Sequence, residues 1–339
     1  MLRDVLAGLR RLDRRGQVAV GASFCALLLI GGVAGWTSLR GKPDDTVMAY
    51  IIKAGLDKKR ELLVGVFPDE PLMSYRDPSA SPDSHRIEDY SGFDVEMARA
   101  LGQYLGFRDA NLIMIPTEVQ DRARDLNEGR IDVAIASYSM TDEREKEVDF
   151  AGPYMRTQPE VLMRADSKVT HLSFRDLGEM GARICTTGSS TSEAAMLAKG
   201  IHGYDGVNRA KICVDGLRSG KYDAFVLDEA VLAGYKHMYP TLKIVDLVFD
   251  QTEYYAIAVA NDNEPLRILV QNFLLDSLHK GDDGAWKQAW NKTLGQVLVN
   301  QIQPKPVKLT VILRQETRQP ADAMAVRQPA RLRRRPRRR

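Results

Sequence analysis

Hydroxyl and guanidinium side chains are grouped directly after an apolar stretch in the middle of the chain. Residues 131–136 predict a strand buried on both faces, and the sequence SYSMTDER follows it. Thr141 is well placed to cap a short helix, so a helix N-terminus and the guanidinium of Arg144 are expected at one point. Unpaired backbone N–H groups and the donor fork of an arginine suit a carboxylate. A helix cap beside a solvated arginine is the alternative.

Two further polar groups stand near the ends of predicted strands. The sequence GARICTTGSSTSEAAMLAKG predicts a strand, a turn rich in Ser and Thr, and a helix with Ser190 and Glu193 as a capping box. Asp228 follows the apolar run 224–227 and precedes a predicted helix, which it could cap. It could instead face a cleft and pair with an ammonium group, because ligands bind beyond the carboxyl ends of strands in open α/β sheets.

Alternating elements position these groups. Strands are predicted at 62–67, 110–116 and 131–136, with helices at 91–107 and 118–128 between them. A loop rich in Pro, Ser and Asp follows the first strand. The order strand, helix, strand, helix, strand is typical of a parallel α/β sheet.

Three segments resemble the bacterial extracytoplasmic solute-binding proteins for polar amino acids. They are IASYSMTDEREKEVDFAGPY, GFDVEMARALGQYL and YDAFVLDEAVLAGY, and they occur in the family's order within residues 60–296. The resemblance implies an α/β fold of the periplasmic-binding-protein type II class, with two Rossmann-like lobes joined by two crossing strands. Lobe 1 would comprise residues 61–156 and 252–300, and lobe 2 residues 157–251. The crossing strands are expected at 158–164 and 254–260.

The resemblance also implies which residues bind a ligand. Arg144 is expected on the α-carboxylate, Asp228 on the α-amino group, and Arg122 on an acidic side chain, as in the glutamate and aspartate branch. Further implied ligand contacts are Ser137, Ser139, Thr141, Thr186, Ser189 and Ser190. The chain has Val119 where the family often has Ser, and Phe67 where it often has a basic residue. We rank acidic amino acids first, their amides second and basic ones last, because an unpaired buried guanidinium is costly.

Cys185 and Cys213 are the cysteines that the resemblance pairs. Related glutamate binders carry a similarly placed disulfide, and an oxidising compartment permits one. Buried free thiols are the competing interpretation. Cys25 lies inside an apolar run and is expected to act as a small apolar residue.

The two ends of the chain differ from its middle in charge. The 339 residues carry a net charge of +3, to which residues 1–17 contribute +3 and residues 303–339 contribute +10, so residues 18–302 carry −10. An acidic body excludes general nucleic-acid binding through a folded face. The tail 303–339 is rich in Arg and Pro, which is typical of disorder.

Residues 18–36 contain no charged residue and are long enough for a transmembrane helix. The arginines before them place residues 1–17 in the cytoplasm. Residues 37–60 would then tether an extracytoplasmic body to the cell membrane. A cleaved signal peptide is the alternative, but residues 35–38 form a poor cleavage site, so we favour an uncleaved single-pass anchor.

The function implied by the resemblance is binding of a polar amino acid in an interlobe cleft for uptake through an ABC-type permease. A sensor whose closed form signals to a membrane or kinase partner is the alternative. An enzyme has little support, because no GxSxG, HExxH or phosphate-binding glycine motif occurs and the five histidines lack metal-ligand spacing. We predict no catalytic residue, no cofactor and no metal.

Overall fold

The computed structural model describes residues 45–248, 252–298 and 301–306. The predicted anchor at 18–36 and the segment before it lie outside the described residues, as does the tail from residue 307 onward. None of the described helices is long and apolar enough to cross a membrane.

Strands and helices alternate along the chain, as the apolar pattern predicts. The strands are β1 (Leu62–Val66), β2 (Asp69–Glu70), β3 (Ser74–Arg76), β4 (Tyr90–Ser91), β5 (Leu112–Pro116), β6 (Val133–Ala134), β7 (Val148–Thr157), β8 (Pro159–Arg164), β9 (His171–Ser173), β10 (Ile184–Thr187), β11 (Tyr204–Val207), β12 (Ala224–Asp228), β13 (Leu242–Val248) and β14 (Glu253–Ala260). The α-helices are α1 (Asp45–Lys53), α2 (Phe93–Tyr104), α3 (Arg122–Asn127), α4 (Phe174–Glu179), α5 (Thr191–Ala198), α6 (Ala210–Ser219), α7 (Glu229–Met238), α8 (Glu264–His279) and α9 (Ala285–Lys292).

Two large sheets divide the strands between two lobes. The first has the order β5-β1-β6-β14-β7, and the second has the order β11-β10-β12-β8-β13-β9. In the first sheet β1 pairs in parallel with β5 and β6, whereas β14 is antiparallel to β6 and β7. In the second sheet β10 is parallel to β11 and β12, and β8 is antiparallel to β12 and β13. Both sheets are therefore mixed, with a parallel part that presents its strand ends to one edge.

The chain passes between the two sheets twice. β7 ends at Thr157 in the first sheet and β8 begins at Pro159 in the second, while β13 ends at Val248 and β14 begins at Glu253 back in the first. Glu253 pairs with Thr157, so the two crossings lie side by side. This connection is that of a two-lobed α/β fold of the periplasmic-binding-protein type II class.

Aromatic side chains fix the crossing strand β7 against the helices of the first lobe. The ring of Phe93 contacts those of Tyr154, Trp286 and Trp290 at centroid distances of 5.7–6.1 Å. Trp286 Nε1 also donates to the carbonyl of Tyr154 at 2.6 Å. A rigid first lobe therefore holds the strand from which the chain leaves for the second.

Two predicted helices are shorter than expected. The helix predicted at 118–128 begins only at Arg122, since the carbonyl of Val119 accepts from Arg122 Nε and the segment before it is a turn. The helix predicted after Thr141 is a single 3₁₀ turn, Arg144–Lys146. It ends there because β7 begins at Val148 and draws the backbone into the sheet.

A disulfide joins β10 to α6 in the second lobe. Cys185 and Cys213 are bonded, with Cα atoms 5.5 Å apart and 28 positions between them in sequence. Both residues are fully buried. The cross-link holds a helix on the strand whose far end reaches the candidate site, and it is the pairing that the family resemblance implies.

We expect the disulfide to stabilise the protein by about 3 kcal/mol, because closing a loop of this length removes entropy from the unfolded chain. Urea unfolding of the Cys185→Ala/Cys213→Ala double variant should show that loss. Thiol titration of the denatured, unreduced protein should find one reactive cysteine, Cys25, and three after reduction. Three reactive thiols before reduction would contradict the pairing.

Candidate functional site

A narrow cavity of about 30 Å³ lies where the strand ends of the two lobes meet. It is lined from the first lobe by Phe67, Glu70, Val119, Arg122, Ser137, Ser139, Arg144 and Tyr255. It is lined from the second lobe by Thr187, Ser190, Thr191, Leu227, Asp228 and Val231. We call this space the interlobe cavity. Its volume is about that of one water molecule, so a larger ligand enters only when the lobes separate.

Arg144 reaches across the cavity from the first lobe to the second. Its Nη1 donates to the carbonyl of Ser139 at 2.9 Å, and its Nη2 donates to the carbonyl of Ser189 at 3.2 Å. The backbone N–H of Arg144 donates to Thr141 Oγ1 at 3.3 Å, so the predicted capping residue does hold the start of this turn. Hydrogen bonds to both lobes therefore fix the position of the guanidinium, which still has N–H donors that can bind an anion.

Asp228 faces the same cavity from the second lobe and is 5% exposed. Its Oδ1 accepts from Ser192 Oγ at 3.2 Å, and its Oδ2 accepts from Tyr255 Oη of the first lobe at 2.5 Å. It does not cap α7 through its side chain. Burial, with the nearby charge of Glu253, raises the pKa of Asp228 to about 7. A cationic partner would restore its ionised form.

Arg122 lies at the N-terminal end of α3 and is almost fully buried. Its Nη1 donates to the carbonyls of Ala136 and Ser137 at 2.8 and 3.5 Å, and its guanidinium carbon lies 3.7 Å from the ring centroid of Tyr138. Burial, with the charge of Arg144, lowers the pKa of Arg122 to about 9. The guanidinium thus has carbonyl and aromatic partners already, so the premise that it would be unpaired without a polar ligand does not hold.

Glu70 is the second carboxylate of the cavity, and the sequence pattern did not predict it. It is 5% exposed, and its Oε2 accepts from Ser137 Oγ at 2.6 Å. Burial raises the pKa of Glu70 well above its ordinary value. The sequence did contain a signal for this residue, because Glu70 follows the carboxyl end of β1, and α/β sheets bind ligands at such strand ends.

Ser139 belongs to a hydrogen-bond cluster that joins both lobes to a crossing strand. Glu253 Oε2, at the start of β14, accepts from Ser139 Oγ at 2.7 Å and from Thr191 Oγ1 at 2.6 Å. The two hydroxyl oxygens are 3.5 Å apart. Neither Thr191 nor Glu253 was among the predicted site residues.

Thr186 is not brought to the cavity, which corrects the sequence prediction. Its side chain is fully buried and Oγ1 donates to the carbonyl of Val226 at 2.9 Å inside the sheet. The next residue, Thr187, lines the cavity instead, because successive side chains of a strand point to opposite faces. Among the described residues, Thr187 Oγ1 is a buried hydroxyl without a hydrogen-bond partner.

Three other predicted residues have mainly structural contacts. Ser190 Oγ caps α5 by accepting from the N–H of Glu193 at 3.0 Å, and the residue still lines the cavity. The side chain of Ser189 is exposed, and the residue is used through its backbone: the carbonyl accepts from Arg144 and the N–H donates to Glu193 Oε2 at 2.6 Å. Thr141 lines a larger neighbouring groove of about 1420 Å³, not the interlobe cavity. The predicted contacts of Thr141 and Ser189 with a ligand are thus not supported by side-chain position.

Backbone geometry places Ser137 in an uncommon conformation. Its φ is +44°, in the left-handed region that side chains rarely adopt. The N–H of Ser137 donates to Asp94 Oδ2 at 3.1 Å, and Asp94 Oδ1 accepts from Tyr154 Oη at 2.8 Å. Burial raises the pKa of Asp94 to about 7. A buried network therefore holds the turn that presents Ser137 to the cavity.

The described part of the chain contains no group of three or more His, Cys, Asp or Glu residues that could hold a metal ion. The chemistry of the interlobe cavity is that of two guanidinium groups, two carboxylates and several hydroxyls. Such a set suits a small molecule that carries both charges.

Known proteins resemble this chain in sequence and in fold. The glutamine-binding protein of Geobacillus stearothermophilus is 29% identical over 260 residues, covering 73% of this chain and 94% of that protein. The glutamate-binding protein GluB of Corynebacterium glutamicum is 25% identical over 286 residues, covering 79% and 90%. The crystal structure of the solute receptor for L-cysteine of Neisseria gonorrhoeae superposes with a TM-score of 0.64 at 25% identity, covering 75% of this chain and 98% of that one.

The family described as bacterial extracellular solute-binding proteins, family 3, matches residues 62–302, which include both sheets and every residue that lines the interlobe cavity. The relatives above are named for the solutes that they bind, not for a reaction. This chain belongs to the bacterial extracellular solute-binding proteins of family 3.

Proposed function

We propose that this protein binds a polar α-amino acid between its lobes, with Arg144 on the α-carboxylate and Asp228 on the α-amino group. The observation that carries the proposal is the position of these two charges. They come from opposite lobes, are both partly satisfied by hydrogen bonds, and face one cavity. A zwitterion pairs with each of them at once, which makes closure favourable only around a ligand of that kind.

Lobe separation is part of this function. The cavity of about 30 Å³ cannot hold an amino acid. Arg144 Nη2 bonded to the carbonyl of Ser189, and Tyr255 bonded to Asp228, are contacts between the lobes that an entering ligand would replace. Because residues 157–159 and Glu253 lie side by side at the two crossings, we infer that the lobes open by bending there.

The ligand class that we propose is an acidic amino acid or its amide, as the resemblance implies. Support comes from the relatives named for glutamine and glutamate. Support also comes from the cavity itself, where Arg122 and Glu70 lie beyond the groups assigned to the zwitterion.

We propose that this receptor serves uptake through an ABC-type permease. Its body would lie outside the cell, and its N-terminal segment would anchor it in the membrane. A sensor that signals from the closed form to a membrane partner is the alternative. Permease and ATPase genes beside this one would favour uptake, and signalling genes would favour sensing. Protease added to intact cells should digest the chain beyond about residue 40 and spare an N-terminal tag if the anchor is uncleaved.

Replacing either charge at the ends of the zwitterion should weaken binding strongly. Losing one partner of a buried charged contact costs about 2–5 kcal/mol, so Arg144→Ala and Asp228→Asn should each raise the dissociation constant about thirtyfold or more. Calorimetry with glutamine and glutamate measures this. Arg175→Ala and Asp166→Asn are matched controls, because both side chains are exposed on the second lobe. Binding equal to that of the parent in both cavity variants would show that the site is misassigned.

Substitutions of Thr186 and Thr187 should have different effects, one on stability and the other on ligand binding. Thr187→Val removes a hydroxyl that faces the cavity, so affinity should fall about fivefold, from the loss of about 1 kcal/mol. Thr186→Val removes a buried bond to Val226, so the unfolding free energy should fall by about 1 kcal/mol while affinity stays unchanged. Urea unfolding and calorimetry on both variants test the pair. The opposite pattern would restore Thr186 as the binding residue.

A further inference from the structure

Glu70 is placed in the cavity by contacts with the opposite lobe. Its neighbour Asp69 accepts from the N–H of Lys211 through Oδ2 at 3.1 Å and from Tyr235 Oη through its carbonyl. Pro71 packs so closely on α7 that a Cβ at Gly234 would lie 1.7 Å from its carbonyl oxygen. The strand β2 is therefore held against the second lobe in the closed form, and the buried carboxylate between these anchors points into the interlobe cavity.

Glu70 and Arg122 converge on one residue from opposite sides. Ser137 Oγ donates to Glu70 Oε2 at 2.6 Å, while the carbonyl of Ser137 accepts from Arg122 Nη1 at 3.5 Å. Among the described residues Glu70 forms no ion pair, and Arg122 uses Nε and Nη1 but not Nη2 for its hydrogen bonds. Both groups thus have hydrogen-bonding capacity left.

Other charges surround Glu70. Asp69 on β2 and Asp94 on α2 oppose its ionisation, whereas Arg122 on α3 and the hydroxyl of Ser137 favour it. Tyr154 on β7, Tyr235 on α7 and Tyr255 on β14 also lie within its field. Burial is the largest of these influences, and it raises the pKa of Glu70. A second anion beside Glu70 is therefore unfavourable.

A side-chain amide matches this pair of groups. Its carbonyl oxygen can accept from Arg122 and its NH₂ can donate to an oxygen of Glu70 in either protonation state, so no proton is required. A carboxylate in the same place can accept from Arg122 but would face the oxygens of Glu70. Two carboxyl groups so close require one shared proton, which Glu70 holds when it is protonated and loses as pH rises.

We propose that Glu70 is the specificity-determining residue of the cavity, selecting an amide side chain over an acidic one and admitting an acid only together with a proton. This inference rests on the proposed function, since it needs an amino acid in the cavity. It reverses the order expected from the sequence, in which Arg122 was the only charge considered beside the ligand side chain.

The test is calorimetry of the parent protein with glutamine and with glutamate between pH 5.5 and 8.5. Asp228 meets the ammonium group that both ligands share, so its titration cancels in the ratio of their affinities. We expect glutamine to bind more tightly at pH 8. We expect the affinity for glutamate relative to glutamine to rise as pH falls, by up to about tenfold per pH unit. A ratio that does not change with pH would overturn the proposal.

Glu70→Gln supplies the second measurement, because its amide can donate to a ligand carboxylate at no cost in volume. At pH 8 this variant should shift the ratio toward glutamate by about tenfold or more, the equivalent of at least one pKa unit, and should remove its pH dependence. Glu179→Gln, on an exposed part of α4, is the matched control and should behave as the parent does.

The possible results distinguish the role of Glu70 from the receptor function. If both amino acids bind but Glu70→Gln leaves their ratio and its pH dependence unchanged, the role of Glu70 is wrong and the receptor function stands. If neither binds the parent protein, the proposed function fails, and the role of Glu70 fails with it. Arginine binding more tightly than both would also overturn the proposal, since Glu70 would then be pairing with a cation.

Discussion

Burying opposite charges between two lobes is the constraint on which this structure depends. A charge taken out of water is costly unless it meets a partner. Arg144 uses carbonyls of both lobes, and Asp228 uses a tyrosine hydroxyl from one lobe and a serine hydroxyl from the other. These neutral partners stabilise the closed form without a ligand, and the proposed zwitterion would replace them with full charges. Closure and recognition are therefore one process.

Rigid support beneath the cavity makes this exchange specific. Ser137 is held in the left-handed region by Asp94, which is itself fixed by Tyr154 on the crossing strand β7. In the second lobe, the disulfide between Cys185 and Cys213 fixes α6 on β10, the strand that ends at Thr187. The side chains that face the cavity thus stand on elements that are fixed within their own lobes.

Much of this arrangement could be predicted from the sequence, because it follows from where strands end. Arg144 and Asp228 follow apolar runs that predict strands, whereas the place of Arg122 in the cavity was implied only by the family resemblance. The sequence did not show whether Thr186 or Thr187 faces the cavity, since this depends on which face of the sheet the last residues of β10 present. A shift of one position reverses that choice.

Glu70 shows a different limit of sequence reasoning. Its loop has the composition of an exposed turn, but Asp69 docks on α6 and Pro71 on α7, and the carboxylate between them is buried. That contact joins residues more than 160 positions apart, as the bond from Tyr235 to Asp69 shows. Local patterns do not carry such information. The consequence is chemical, because a cavity with one arginine beside the ligand side chain and a cavity with an arginine and a glutamate favour different ligands.

A crystal structure of the protein with glutamine bound tests the central claim most directly. The account predicts the α-carboxylate within hydrogen-bond distance of Arg144, the ammonium group on Asp228, and the side-chain amide between Arg122 and Glu70. The contacts from Arg144 to the Ser189 carbonyl and from Tyr255 to Asp228 should be replaced or lengthened. A ligand found outside the interlobe cavity, or with its α-carboxylate on Arg122 and its ammonium group away from Asp228, would contradict it.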